Sequence, residues 1–434
     1  MWGTGVLAYV VAVLNRTAFG VSGLDAAVRF EAGPGVLSSF VVIQIVVYAA
    51  MQVPAGLLLD RFGPRAMIAT GVAIMSLGQL TLALTHALPV AILSYGTVGL
   101  GDAFLFISVI RLLPNWFAAP RVPLLTQLTG IIGQFGQVLS AVPFLAILLH
   151  RGWTAAYVSV AALGLLSVML TLALVRDAPP GDRPSTELKT FRAALVDAKA
   201  VWSRPGTRLG FFTHMGTPFS ITVFALIWGV PYLTIAQGLS RSMAGALLTV
   251  SVATFVSFGV VVGIVSGRRP QCRTGLVLAM IAACAVAWTV VLALPVRAPS
   301  WLLVVLVVVL STGQPVSIIA FDFARTFNPP TSLGTAQGMV NTGGFIAALL
   351  MMQGMGIIIG AAGGYSFDAF RLAWTAQYLI WAVAAIGVTV SARRARSSPA
   401  LGEQAVPVLQ PPDGYSSASI FGEIGSPPSA TSIH

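Results

Sequence analysis

The segment Gly56-Leu57-Leu58-Leu59-Asp60-Arg61-Phe62-Gly63-Pro64-Arg65 divides two long stretches without a single charge, residues 36–59 and residues 66–84. Each stretch has the length of a membrane-crossing helix, which needs roughly 20 mostly apolar residues. A connection confined to residues 60–65 leaves no room for a folded soluble domain. The two stretches must therefore run antiparallel as neighbouring helices. Glycine permits the tight turn, Asp60 is suited to meet the N-terminus of another helix, and the arginines hold the turn at one membrane face.

Working outward from this turn, the rest of the chain has the same character. Of 434 residues, 56% are hydrophobic and 9% charged, whereas an ordinary soluble chain is about 25% charged. Twelve apolar segments can be read, at residues 4–22, 36–59, 65–85, 89–112, 123–149, 153–175, 209–236, 242–266, 274–294, 300–321, 332–357 and 371–391. Alternating runs of about ten residues, the mark of an outer-membrane barrel, are absent. The fold class is all-α and membrane-embedded.

The formal net charge of +11 raises the question of nucleic acid, and its placement answers it. With both termini cytoplasmic, 18 of the 24 Lys and Arg residues fall inside; Arg29, Arg151, Arg241, Arg297 and Arg371 fall outside, and Arg16 lies within the first span. This asymmetry follows the positive-inside rule. The excess charge orients the chain and meets anionic headgroups of the lipid bilayer, and no nucleic-acid partner is expected. Arginine far outnumbers lysine, as in GC-rich bacteria, so the expected location is the bacterial plasma membrane.

The chain divides into an N-terminal six-helix bundle at 1–180, a central loop at 181–207, a C-terminal six-helix bundle at 208–391 and a disordered tail at 392–434. Within the central loop Leu188, Phe191, Leu195, Ala198 and Trp202 share one helical face, which predicts an amphipathic helix on the cytoplasmic leaflet. The tail is rich in Pro, Ser and Gly and lacks helical periodicity. A weak internal repeat supports the halves. Gly263 and Arg268 echo Gly56 and Arg61 at an offset of 207, with Gly267 where Asp60 stood. The fifth and eleventh spans both follow Pro-marked loops and both are rich in glycine.

The turn resembles the Gly-x-Leu-x-Asp-Arg-x-Gly-x-Arg signature of the major facilitator superfamily, with Gly56, Leu58, Asp60, Arg61, Gly63 and Arg65 in place. Pro64 replaces a residue that is usually basic. The resemblance extends over residues 1–391 and implies a twelve-helix secondary transporter with two parallel six-helix halves, working by alternating access. It also implies that the first, fourth, seventh and tenth helices line the central cavity. Gly56, Asp60, Arg61, Gly63, Arg65, Gly263 and Arg268 would form the gating motif. Asp60 would close against the start of the eleventh helix, capped by Thr331 or Ser332, and the latch would be one-sided because Gly267 has no carboxylate.

An ionisable group inside a span is costly enough to mark a candidate site. Arg16 lies in the first span beside Asn15 and suits the clamping of an anion through paired hydrogen bonds; the alternative is a packing or snorkelling role. Asp102 follows Gly99 and Gly101 in the fourth span and is a candidate proton carrier, or else a partner for Arg111 or Arg16. Tyr95 stands where proton-coupled members of the family usually carry an arginine. His214, near the cytoplasmic entry of the seventh helix, is a second candidate for proton exchange. Gln44 and Tyr48 on the second helix, Gln134 and Gln137 on the fifth, and Gln337 and Asn341 on the eleventh complete a polar set for substrate, each with a helix-packing alternative. Asp322 and Arg325 are expected to pair at the cytoplasmic surface.

Other chemistries find no support. The chain has no Gly-Lys-Ser phosphate loop, no His-Glu-x-x-His zinc site and no acid-rich nucleophile triad. Cys272 and Cys284 form no framework. An enzyme is not expected, and neither a cofactor nor a metal. The expectation is a monomeric secondary transporter for a small solute, moving a small organic anion inward with protons. Export of amphipathic or cationic compounds is the alternative, and a non-transporting sensor or scaffold is a third reading.

Overall fold

The computed structural model describes residues 1–32, 34–179 and 191–396. The expected tail lies outside these residues from 397 onward, as does the start of the central loop at 180–190. Among the described residues, ten helical stretches are long and apolar enough to cross a membrane. Two of them break where a glycine adopts positive φ, Gly63 at 78° and Gly152 at 80°. Only glycine enters that region without strain, and each break reverses the chain. The ten stretches thus make twelve spans.

We label them α1 (Trp2–Val21), α2 (34–62), α3 (64–84), α4 (Leu88–Trp116), α5 (122–151), α6 (153–174), α7 (205–236), α8 (Arg241–Arg268), α9 (Arg273–Leu292), α10 (Ser300–Phe327), α11 (Leu333–Ala361) and α12 (Phe367–Arg396). Several run past the sequence-based ends. The fourth was expected to stop at 112 beside Arg111, yet the helix continues to Trp116. Its polar residues are satisfied there: the Asn115 amide donates to the Asp177 carbonyl at 2.8 Å and Arg111 donates to the Pro330 carbonyl at 2.7 Å.

Buried apolar side chains form three clusters. One is drawn from residues between Val6 and Val175, one from residues between Leu209 and Ala392, and a smaller one joins the two groups. The joining cluster takes Ile110, Leu113 and Val122 from the first six spans and Phe321, Ala324 and Val340 from the last six. It also includes Val201 from the connecting helix Phe191–Ser203. Ala198 and Trp202 of the expected amphipathic face pack against the same cluster. That face rests at least partly on protein.

The membrane face that carries Met1 and the Gly63 turn is called proximal below, and the opposite face distal. Odd-numbered helices run from proximal to distal and even-numbered helices return.

Candidate substrate site and the seams beneath it

Arg16 stands fourteen residues beyond Trp2, about 21 Å along α1 at 1.5 Å per residue. Its Nη1 donates to Asp102 Oδ2 at 3.3 Å; the Arg16 side chain is 31% exposed, and that of Asp102 1%. The carboxylate is thus enclosed, while the arginine side chain that pairs with it stays partly exposed. Asp102 therefore takes Arg16, the alternative partner to Arg111, which is spent on Pro330. The second carboxylate oxygen, Oδ1, has no hydrogen-bond partner among the described residues. A buried oxygen left this way is costly, and a proton or a water at Oδ1 would satisfy it.

The backbone around Arg16 is held from three sides. Tyr95 donates to the Arg16 carbonyl at 2.6 Å, Gln79 to the Asn15 carbonyl at 2.8 Å, and Thr17 to Ser140 at 2.9 Å. Asn15 itself is fully buried and its amide turns back to the Val11 carbonyl. It faces the bundle core and supports α1. Tyr9, two turns before Arg16 on the same helix face, is within electrostatic reach of the guanidinium, as is Tyr48 of α2.

Beneath Arg16 the two halves meet. Tyr9 packs on Phe106 (ring centroids 5.4 Å) and Phe106 on Phe321 of α10 (5.4 Å). Beside them Asn341 of α11 donates to Gln52 at 2.7 Å and to Tyr48 at 3.2 Å, and Phe345 lies 4.6 Å from the Tyr48 ring. Tyr48 and Asn341, both expected at the substrate site, are therefore tied to each other. Gln337 is buried one turn nearer the proximal face. Gln44 is also buried, with its backbone against Gly99 of α4. Gln134 and Gln137 bond to each other, and Gln137 is exposed. Gln134 continues the α5 face whose earlier members, Gln127 and Ile131, lie against Gly259 of α8.

His214 lies nine residues inside α7, about 14 Å deep, and so well beyond the entry. It is buried with its ring 5.4 Å from Phe321. No described contact joins it to Asp102. The two expected proton carriers sit in different halves.

Two seams close the proximal side. Along α2 and α11, Asp60 accepts from the Gly334 N–H (2.7 Å), the Thr335 N–H (2.7 Å) and the Thr335 hydroxyl (2.6 Å). The carboxylate itself caps α11. Thr331 or Ser332 was expected to do so; Ser332 holds the N-cap position but makes no side-chain cap, and accepts from Arg204 at 2.7 Å instead. Gly56 packs so closely on Gly334 that a Cβ would overlap its carbonyl. Behind the turn, the Arg65 N–H donates to Asp177 at 2.7 Å. Burial raises the Asp177 carboxyl above the ordinary range, against that hydrogen bond and the charges of Arg65 and Arg111. Arg61 extends over the Phe62 ring at 5.2 Å.

Along α8 and α5 the contact is made by glycines of α8 against larger side chains and the Pro120 turn. Gly263 packs on Leu124 and Gly267 on Pro120. Arg268 is exposed. The charged cluster of this half lies elsewhere: Asp322 is buried, accepts from Ser266 at 2.8 Å, and pairs with Arg273 at 3.7 Å and Arg325 at 3.5 Å. The expected Asp322–Arg325 pair exists, but buried and bridged to α9. Sequence reasoning missed Arg273 and Asp177, whose partners stand 49 and 112 residues away.

Comparison with known proteins fits this geometry. The chain resembles a probable galactarate/D-glucarate transporter, GudP, of Bacillus subtilis (strain 168), at 23% identity over 74% of this chain and 76% of the relative. GudP of Escherichia coli (strain K12) is 22% identical over 74% and 77%. A probable L-galactonate transporter of Escherichia coli (strain K12) is 25% identical over 45% of this chain and 42% of its own length. Among solved structures, a bacterial homologue of the iron transporter ferroportin in an outward-facing state superposes with TM-score 0.71 at 13% identity, covering 90% and 99% of the two chains. FucP in the outward conformation gives 0.65 at 15%, covering 90% and 98%. The profile of the Major Facilitator Superfamily matches residues 5–352. With that profile over most of its length and a twelve-span fold to match, the chain belongs to the Major Facilitator Superfamily and is a transporter of that kind, not an enzyme.

Proposed function

We propose that this protein takes up a small hydroxylated organic acid together with a proton, by alternating access between its two halves. The observation that carries the reading is Arg16: a partly exposed arginine within the first span, past its middle toward the distal face, paired with a buried carboxylate above the joined seams. A guanidinium so placed matches a carboxylate through two parallel hydrogen bonds. The sugar-acid transporters among the relatives support an anionic substrate. The distribution of Lys and Arg supports a cytoplasmic proximal face, and with that orientation the joined proximal seams correspond to an outward-facing state.

The pair also supplies a way to couple. Arg16 and Asp102 together carry no net charge, and an anion entering this low-dielectric site meets a guanidinium already engaged. Protonation of Asp102 removes the competing charge and leaves a net positive site for the substrate. Proton and monoanion then cross as a neutral set, which avoids moving a bare charge through the bilayer. When the proximal seams part and the distal side closes, both ligands leave toward the cytoplasm.

Binding of L-galactonate and galactarate to purified protein tests the reading. Arg16→Lys keeps the charge but loses the fork, and its affinity is expected to fall roughly tenfold to a hundredfold, the worth of one charged hydrogen bond. Arg16→Ala combined with Asp102→Asn, which leaves no buried charge unpaired, is expected not to bind. Wild-type affinity in the double variant would leave Arg16 as a packing residue.

A further inference from the structure

We infer that Gln314 and Thr222 form the second half of the substrate site, a neutral wall that reads the hydroxyl-bearing end of the molecule whose carboxylate Arg16 holds. Gln314, Ile318 and Phe321 lie at helical spacing on one face of α10. The latter two touch the opposite half: Ile318 lies beside Gly130 of α5 and Phe321 packs on Phe106 of α4. Gln314 is the next residue distal on that face and is partly exposed; its neighbour Pro315 turns its carbonyl to the other half, where it accepts from Gln127 of α5 at 2.6 Å. Counting from Phe327, it stands about 20 Å from the proximal end, level with Arg16. The aromatic row of Tyr9, Phe106 and Phe321 lies beneath both.

The Gln314 amide donates to the Thr222 hydroxyl of α7 at 3.3 Å, and Thr222 is also partly exposed. This is a long, weak bond; the Thr222 hydroxyl also donates to the Pro218 carbonyl at 2.9 Å, so Thr222 keeps an acceptor lone pair, and Gln314 keeps an amide proton and its carbonyl, for a ligand. The surrounding wall is without formal charge. Between Leu209 and Gln237 the only ionisable side chains are those of His214 and Tyr232, both buried, and residues 300–321 and 331–361 contain no Asp, Glu, Lys or Arg. A second carboxylate would meet no cation here and would be desolvated unpaired, whereas hydroxyls would find an amide and an alcohol. The site is therefore built for a polyhydroxylated monocarboxylate, in preference to a dicarboxylate of the same chain length.

This inference rests on the anion reading of Arg16, and the test separates the two. Three six-carbon probes are titrated onto purified wild-type protein and Gln314→Ala: L-galactonate, galactarate and hexanoate, which has the carboxylate but no hydroxyls. Wild type is expected to bind L-galactonate at least tenfold more tightly than either other probe. Gln314→Ala is expected to weaken L-galactonate roughly tenfold, the loss of a hydrogen bond or two, and to leave hexanoate unchanged, which also shows that the variant is folded. Gln314→Arg is expected to shift preference toward galactarate. Unchanged L-galactonate binding in Gln314→Ala, with Arg16 variants still defective, overturns the second subsite alone. Failure of wild type to bind any of the three overturns both readings.

Discussion

The two seams that close the proximal face are built from the same plan and held by different forces. At α2/α11 the close glycine contact is accompanied by a carboxylate that accepts three hydrogen bonds at the start of a helix. At α8/α5 the glycines Gly263 and Gly267 meet Leu124 and Pro120 by van der Waals contact. A helix N-terminus offers unpaired N–H groups and a partial positive charge, so Asp60 adds electrostatic energy that the second seam lacks. The same asymmetry recurs deeper in the membrane, where α1 and α4 carry the Arg16–Asp102 pair and the facing α7 and α10 carry Gln314 and Thr222. Glycines make the close contact at both seams, while the N-terminal half carries the charged latch and the charged part of the proposed site.

The comparison can be broken by changing each seam in turn and following the proximal accessibility of a single reporter cysteine, in a background without Cys272 and Cys284. The largest effect is expected from Gly56→Ala. Its Cβ would come within 3 Å of three backbone atoms of Gly334 and Thr335, and backbone cannot swing aside. Overpacking of this kind costs about 1–3 kcal/mol, a shift toward the open proximal face of roughly five- to 150-fold. Normal protection of the reporter would mean that the seam is looser than described.

Asp60→Asn comes next. The amide oxygen still accepts at one position, but the NH2 in place of the other oxygen cannot, and the charge at the helix end, worth about 0.3–2 kcal/mol, is lost. A shift of up to a few tens-fold in the same direction is expected. Identical labelling would reduce Asp60 to a turn residue. Gly267→Ala should do least. Its Cβ would come within 3 Å of one backbone atom, the Pro120 carbonyl oxygen, against three at Gly56, so a smaller change, of a few-fold, is expected. An effect exceeding that of Asp60→Asn would reverse the assignment of the stronger seam.

Much of this was legible in the chain itself. The uncharged stretches around residues 60–65 dictate helix pairing, and the placement of arginines favours the orientation proposed above. Arg16 and Asp102 stood out because ionisable groups are scarce within apolar spans. Which partner each takes was not legible. Arg16 and Asp102 are 86 positions apart, Gln314 and Thr222 are 92 apart, and helical periodicity identifies a face without saying what it meets. The cap of α11 illustrates the limit. Local rules favour Ser332, but Asp60 brings a full charge from 274 residues away and Arg204 takes the serine. Tertiary contact prevails over local propensity wherever a charged group can reach a helix end.

The central claim is that Arg16 and Asp102 couple the anion to a proton, and the most direct measurement records both fluxes together. Protein in liposomes with no imposed gradient is given external L-galactonate while external pH is followed. Wild type is expected to alkalinise the medium as the anion enters, one proton per anion. Asp102→Asn is expected to exchange external for internal L-galactonate with no proton movement. Proton uptake with the anion that continues undiminished in Asp102→Asn would contradict the account.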